Sequence, residues 1–325
     1  MTIPSPRVPA AGQPGCGHLM QSARFRARIR SAAPSGSSGS SESDGVDATF
    51  AADPIVEKIV PSFAGIDRLG VAFSGGVDSS VLLALAVQAL GRDRVVAIIG
   101  VSPSLPADEL AAAHHVADVI GAVVAEVRTH EGEREEYIAN GPDRCFHCKD
   151  ELFTRISDEV VQAHRLDAVA YGENADDMIR PDRPGSRAAT NHHVLRPLAD
   201  AGLTKLDIRR IARARQLPCA DKPAAPCLAS RIPHHRPVTP HKLGQIEQVE
   251  ADLRRMGFTD LRVRHHDDIA RIELPAEDLV RAVTEPLRGR IRNAVTTAGF
   301  RYAAVDLAGI QSGAFTLPLV QVRHG

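Results

Sequence analysis

The stretch Ala72-Phe73-Ser74-Gly75-Gly76-Val77-Asp78-Ser79-Ser80 constrains this chain more than any other. It closes the apolar run Leu69 to Phe73 and opens a second, Val81 to Ala86, long enough for a buried helix. Strand, glycine-rich turn and helix in succession aim free backbone N–H groups and a helix N-terminus at an anion. Gly75 and Gly76 let the backbone approach phosphate oxygens closely, and Ser74, Ser79 and Ser80 add hydroxyl donors. Asp78 is out of place in a phosphate cradle unless a cation bridges it or it caps the helix. The ATP P-loop pattern GxxxxGK[ST] is absent. A capped helix after a tight turn would account for a few of these residues but not for the whole run.

The remaining chain keeps the alternation that this stretch begins. Strands are predicted at 69–73, 95–101, 122–127 and 168–171, with helices at 79–90, 107–120 and 151–164. Apolar strands separated by helices imply a parallel sheet with helices on both faces, an α/β fold. In such a sheet ligands bind beyond the carboxyl ends of the strands, where Ser74 to Asp78 falls. Folded structure is expected from about Asp53, with a helix up to Phe63. Thr204 and Pro218 bracket an amphipathic helix over 203–217. After the Pro-rich stretch 223–237 comes a second unit. It reads as a helix over 241–256, strands at 261–266 and 269–274, a helix over 276–298 and a strand at 302–307. Three segments follow: a Ser-, Gly- and Arg-rich tail over 1–51, a nucleotide domain over 52–235, and a small C-terminal α+β domain over 236–325 for substrate binding and oligomerisation.

Composition narrows the function classes. The 325 residues carry a net charge of −1, with no Trp and three Tyr, which argues against binding nucleic acid through bulk charge or stacked bases. No apolar run approaches a membrane span, and no secretory signal is evident, so a cytoplasmic enzyme is expected. Five cysteines, unevenly placed, do not make a disulfide scaffold and suggest metal or sulfur chemistry.

Three further motifs carry chemistry. Arg144-Cys145-Phe146-His147-Cys148-Lys149 contains a lone C-x-x-C, which can be a redox pair, half a zinc site or an iron–sulfur ligand pair. A third ligand could come from Cys219 or Cys227, and three unrelated thiols remain the plain alternative. Two cysteines plus a distant third would leave one iron of a cubane open to carry an extra sulfide. Gly172-Glu173-Asn174-Ala175-Asp176-Asp177 follows a strand, where carboxylates hold Mg²⁺ or ribose hydroxyls, or simply form an Asx turn. Arg262 and Arg264 share one face of a strand, suited to a phosphate or carboxylate, or to a solvated edge.

SGGVDSS after a strand resembles the signature of the PP-loop ATP pyrophosphatases. Together with RCFHCKDELF, YGENADD, DRPG, RPLADAGLTK, DKPAAPCLASRIP and RVRHH, in order from about 55 to 310, the chain resembles the LarE family. The resemblance implies an adenine-nucleotide alpha-hydrolase-like fold and a sulfurtransferase that uses ATP and Mg²⁺. Its substrate would be pyridinium-3,5-biscarboxylic acid mononucleotide, its product a precursor of the nickel-pincer nucleotide of lactate racemase. A carboxylate attacks the α-phosphate, pyrophosphate leaves, and a sulfur nucleophile displaces AMP from the acyl-adenylate. Members with one cysteine at the Cys227 position sacrifice its sulfur, whereas members with three use a 4Fe–4S cluster. Cys145, Cys148 and Cys227 place this chain with the second group, as catalytic residues and cluster ligands.

By the same resemblance Ser74, Gly75, Gly76, Asp78, Ser79 and Ser80 bind the ATP phosphates. Asn174, Asp176, Asp177 and Arg183 line the nucleotide and substrate end. Ser230 and Arg231 hold substrate phosphate or the adenylate, and Arg262 and Arg264 grip the mononucleotide phosphate. The family also implies a homo-oligomer, in the form of hexamers, with neither membrane nor nucleic acid as partner. The chain departs from the pattern at Glu173, where a small hydroxyl residue is usual, at Arg196, and in having Cys219. Two other classes compete: a PP-loop tRNA thiolase, which would bind RNA in a salt-sensitive way, and an ATP-binding regulatory module without turnover.

Overall fold

Four short strands run side by side in the order β3-β2-β1-β4: β1 (Leu69–Ala72), β2 (Val95–Val101), β3 (Val123–Arg128) and β4 (Ala168–Tyr171). All three pairings are parallel; Leu69 lies opposite Val95 on one side and Ala168 on the other. This is a computed structural model, and it describes residues 57–179 and 184–310, which lie in one compact unit. The chain winds outward from β1 to β3 and then returns to the far side of β1 for β4. That reversal opens a crevice at the carboxyl ends of β1 and β4.

The helix that follows β1, Val77–Leu90, is apolar on all sides, and Val81 to Ala86 are buried without a gap. A helix with no polar face belongs inside a core, and this one packs with Ala107–Ile120 and Lys205–Ala214 against β1 and β2. Gly75 turns the chain into the helix with φ of 69°, and a Cβ there would meet the Ala113 Cα and Cβ at 2.8 Å. Gly172, just past β4, is bound more tightly still. A Cβ there would stand 2.7 Å from the Ser79 backbone nitrogen. Both glycines are fixed by close approach, Gly75 to the middle of the helix Ala107–Ile120 and Gly172 to the start of the helix Val77–Leu90.

The C-terminal sheet has the order β5 (Arg262–His266), β6 (Ile269–Glu273), β7 (Tyr302–Val305), antiparallel then parallel. Its core takes in Leu243, Ile246, Val249 and Leu253 from the helix Pro240–Arg255, and also Tyr137, Leu228, Ala229 and Ile232 from earlier in the chain. The expected helix over 276–298 is two helices, Ala276–Val283 and Leu287–Thr297, because Pro286 has no N–H to continue the first. The helix expected to begin at Glu151 begins instead at Arg144 and runs to Arg155, continuing through a wide turn to His164. Its polar first turn is anchored by tertiary contacts that no periodicity reveals. The helix expected up to Phe63 is a short 3-10 turn, Val60–Phe63, with Pro61 in it; residues 53–56 lie outside the described region.

Candidate active site

Two cavities flank the loop after β1 and share Ser74, Gly76 and Asp78. One, of about 210 Å³, reaches β4 and is lined by Ser79, Lys149, Tyr171, Glu173 and Asp177. The other, of about 360 Å³, is lined by Lys205, Arg209, Lys222 and Cys227.

Within the loop the serines take different directions. Ser74 and Ser79 hydroxyls lie 3.2 Å apart, and Ser79 also donates to Gly76 O at 3.1 Å. Ser80 is fully buried and donates back to Gly76 O at 2.9 Å, so its hydroxyl serves the helix rather than the cavity. Asp78 sits in the first turn of its helix, where a carboxylate complements the dipole. Its Oδ2 accepts from Lys205 Nζ at 2.5 Å and its Oδ1 from Asn174 Nδ2 at 3.1 Å. Asp78 is thus paired with a cation of this chain's own, the Lys205 ammonium.

Asn174 is buried and caps the short helix Ala175–Met178, accepting from Asp177 N at 3.0 Å while its Nδ2 also reaches Asp177 Oδ2. Asp176 faces away from the first cavity. Its Oδ2 accepts from Lys205 N at 2.8 Å and fixes the start of the helix Lys205–Ala214, whose capping box joins Thr204 and Asp207. The Asx turn of the sequence reading is present, and the Asp176 and Asp177 carboxylates both take part in hydrogen bonds within the fold. Arg183 lies outside the described residues.

The cysteines come together from two segments. Cys145 and Cys148, three apart on the first turn of the helix Arg144–Arg155, share a face. Cys148 and Cys227 both rest against the C-terminal core. Arg144 is buried beside them: its Nη1 donates to Asn140 Oδ1 at 2.6 Å and to Ala229 O at 2.8 Å, and its Nη2 lies 4.0 Å from Cys145 Sγ. Burial alone would lower the Arg144 pKa, but the Cys227 and Cys145 sulfurs outweigh it and the net shift is upward. Burial pushes the Cys148 thiol up, reinforced by Glu131, Cys227 and Cys145. Burial, then Cys227 and Cys148, likewise raise the Tyr137 phenol. Cys219 is elsewhere, buried in the main core with Leu217 and Ala220.

Among the described residues no three His, Cys, Asp or Glu side chains are grouped so as to hold a single metal ion. A cubane takes each thiolate on a different iron, so its ligands stand apart around it. Three thiols gathered about one guanidinium and one phenol, with Cys227 opening on the larger cavity, are a donor set that fits such a group.

Behind Cys227 stands a framework of buried ion pairs. Arg231 binds Glu250 through Nε at 2.9 Å and Nη2 at 3.2 Å, and its Nη1 donates to Pro226 O at 2.5 Å and to Cys227 O at 3.3 Å. Ser230 Oγ lies 3.1 Å from the same Nη1. Arg264 forms a two-pronged pair with Glu273 at 3.0 and 2.9 Å and donates to Ser230 O at 3.0 Å. Burial lowers the Arg262 pKa, and Arg264 and Arg231 beside it add to the shift. Arg231 and Arg264, remote from each other in the sequence, thus meet at the turn that carries Cys227, with Arg262 beside them.

A family model described as asparagine synthase matches residues 66–271. An uncharacterized protein of Synechocystis sp. is 39% identical over 258 residues, 79% of this chain and 95% of that protein. The pyridinium-3,5-bisthiocarboxylic acid mononucleotide synthase of Lactiplantibacillus plantarum is 32% identical over 260 residues, 78% of this chain and 91% of that one. The chain belongs to the LarE family of PP-loop ATP pyrophosphatases. An uncharacterized protein of Methanocaldococcus jannaschii, 29% identical over 240 residues, extends the set of relatives; it covers 74% of this chain and 89% of its own.

For this LarE-family chain, reasoning from sequence missed the basic residues of the larger cavity, where Lys222 pairs with Glu109 at 2.7 Å and Lys205 with Asp78. Lys205 and Lys222 stand in the quoted blocks RPLADAGLTK and DKPAAPCLASRIP, so the signal was present without an assigned role. Arg209, one turn beyond Lys205 and held by Ala220 O at 3.2 Å, had no such signal. Arg144 stands in the quoted block RCFHCKDELF but had no assigned role, and Tyr137 had no signal at all, since what both do depends on burial beside the thiols.

Proposed function

We propose that this chain is an ATP-dependent sulfurtransferase that acts on pyridinium-3,5-biscarboxylic acid mononucleotide in making the nickel-pincer nucleotide. The observation that carries this reading is that Cys227 lines the same cavity as Ser74, Gly76 and Asp78. A sulfur-bearing residue beside a phosphate cradle suits adenylylation of a carboxylate followed by displacement of AMP by sulfur. The named activity of the Lactiplantibacillus plantarum relative, a bisthiocarboxylic acid mononucleotide synthase, supports the same product class.

In this reading the substrate carboxylate attacks the ATP α-phosphate, and pyrophosphate leaves toward Lys205, Arg209 and Lys222. Their charges stabilise the leaving group as negative charge builds on it. Mg²⁺ takes most of its ligands from phosphate oxygens and water, so one carboxylate, Asp78, is a sufficient protein contribution. Arg231 and Arg264 hold the turn of Cys227 and Ser230 in register with the acyl-adenylate. The neighbouring Arg262 faces the mononucleotide phosphate. Cys145, Cys148 and Cys227 would hold a 4Fe–4S cluster, which when bound supplies the sulfide. The domain division near 235, the cytoplasmic location and assembly into hexamers belong to this same proposal.

The test is anaerobic. The purified, reconstituted protein is expected to be brown, with three to four irons per chain by the chemistry of a cubane, and to release pyrophosphate when given ATP and the pyridinium substrate. Loss of iron in Cys148→Ala supports the cluster; a colourless, iron-free protein after reconstitution sinks it. A chain that binds ATP but releases no pyrophosphate would be a regulatory module instead.

A further inference from the structure

The smaller cavity contains a charged group that the reaction outlined above does not use. Its floor is apolar, formed by Ala72, Phe73, Leu152 and Phe153, and Glu173 lies on its wall. Glu173 is 3% exposed. Its Oε1 accepts from the Ser186 hydroxyl, while Oε2 has no partner at hydrogen-bond geometry; the buried Tyr171 hydroxyl of the same cavity, likewise without one, stands close enough that burial and the Glu173 carboxylate raise its pKa. Arg196 Nη1 stands 3.7 Å from Oε2, near enough to balance its charge but too far to hydrogen-bond it. The two departures from the family pattern, Glu173 and Arg196, are thus partners of one another. That pairing lets a carboxylate sit beside a polyanion site without repelling its ligand.

We infer that the nucleoside end of ATP occupies this cavity and that Glu173 Oε2 accepts a hydrogen bond from the adenine amino group. The inference rests on the ATP-dependent reading given above. A nucleotide spanning both cavities across Ser74 and Gly76 would place its phosphates against Lys205, Arg209 and Lys222 and its base on the apolar floor. A planar base suits such a floor, and a buried carboxylate oxygen without a donor leaves a hydrogen bond for the ligand to complete. A carboxylate only accepts. Adenine presents a donor at its position 6, whereas hypoxanthine and guanine present a carbonyl that would face the carboxylate oxygen to oxygen. Glu173 therefore makes this chain select ATP over ITP and GTP.

The experiment is titration calorimetry of the full chain with Mg²⁺ and, in turn, ATP, ITP, GTP and 2′-deoxy-ATP. ITP is expected to bind at least about tenfold more weakly than ATP, because a site built around one hydrogen bond rejects the analogue lacking it. Deoxy-ATP should bind within about twofold of ATP. Glu173→Gln keeps an acceptor for Ser186 and offers an amide donor, so it should narrow the ATP to ITP ratio to below about threefold. Equal affinity of the wild type for ATP and ITP overturns the assignment, whatever the variant does. An unchanged ratio in a folded Glu173→Gln also overturns it, as does a loss seen with deoxy-ATP rather than ITP, which would put the carboxylate on the ribose. If no triphosphate binds, the ATP-dependent reading fails, and this assignment with it.

Discussion

Lys205 Nζ donates to Asp78 Oδ2 at 2.5 Å, joining residues 127 apart in the chain. Asp78 opens the helix after the glycine turn, and Lys205 opens the helix that the Asp176 carboxylate pins beside it. The contact therefore brings two helix N-termini to one cavity: that of Lys205–Ala214 is capped by Asp176, Thr204 and Asp207, whereas that of Val77–Leu90 has no side-chain cap and stays open to an anion.

Replacing Lys205 by Met should lower ATP turnover by about 10²–10³, the scale found for losing one preorganised charge donor. Lys205 and Asp78 are partly exposed, so the melting temperature should shift little. Pyrophosphate release and a thermal melt check both. A large loss of stability with unchanged residual turnover would mean that the pair is a fold contact only.

Gly172→Ala would place a methyl group 2.7 Å from the Ser79 nitrogen, against backbone that cannot yield. It should cost about 1–3 kcal/mol in urea unfolding and weaken ATP binding in the same variant, because Ser79 lies in the phosphate loop. Gly132→Ala, where no atom stands within 4 Å of the added carbon, is the control and should change neither.

Arg231 and Glu250 are 4% and 0% exposed and form a buried pair. Glu250→Gln leaves the buried Arg231 guanidinium without its carboxylate and should cost about 3–5 kcal/mol, whereas Arg231→Met leaves Glu250 with Arg254 Nη2 at 3.2 Å and Val263 N at 3.0 Å and should cost less. The double variant should lose less than the sum, with a coupling above about 1 kcal/mol in a double-mutant cycle. Strict additivity would deny the pairing.

Burial, with Lys242 adding to it, lowers the His265 pKa from 6.5 to about 4. The unfolded chain thus binds a proton, between those values, that the folded chain does not. Stability from this group is complete above pH 6.5 and falls by roughly 1.4 kcal/mol per pH unit as the pH drops toward 4. Unfolding midpoints from pH 7 to 4.5 should show that slope, and His265→Gln should flatten it.

Much of the fold is legible in the sequence because its signals are local. The apolar runs of β2 and of the helix Ala107–Ile120 have the limits that their patterns predict, 95–101 and 107–120. Signals failed where a distant residue decides the local structure. The helix of Cys145 and Cys148 begins at Arg144 because that side chain is held by the nearby Asn140 and by Ala229 O, 85 residues away and far beyond any window of periodicity.

By itself the sequence determined that a glycine-rich turn of the PP-loop pattern lies between a buried strand and a buried helix, since Ser74–Ser80 and its apolar flanks permit little else. It also supplied the three thiols and the arginines. Tertiary structure alone decided which of these meet. Lys205 reaches Asp78, Cys227 opens on the same cavity as Ser74 and Gly76, and Arg196 balances Glu173, because the return of the chain from β3 to β4 brings remote segments to the carboxyl ends of β1 and β4. Electrostatic pairing acts through space, and spacing along the chain carries no record of it.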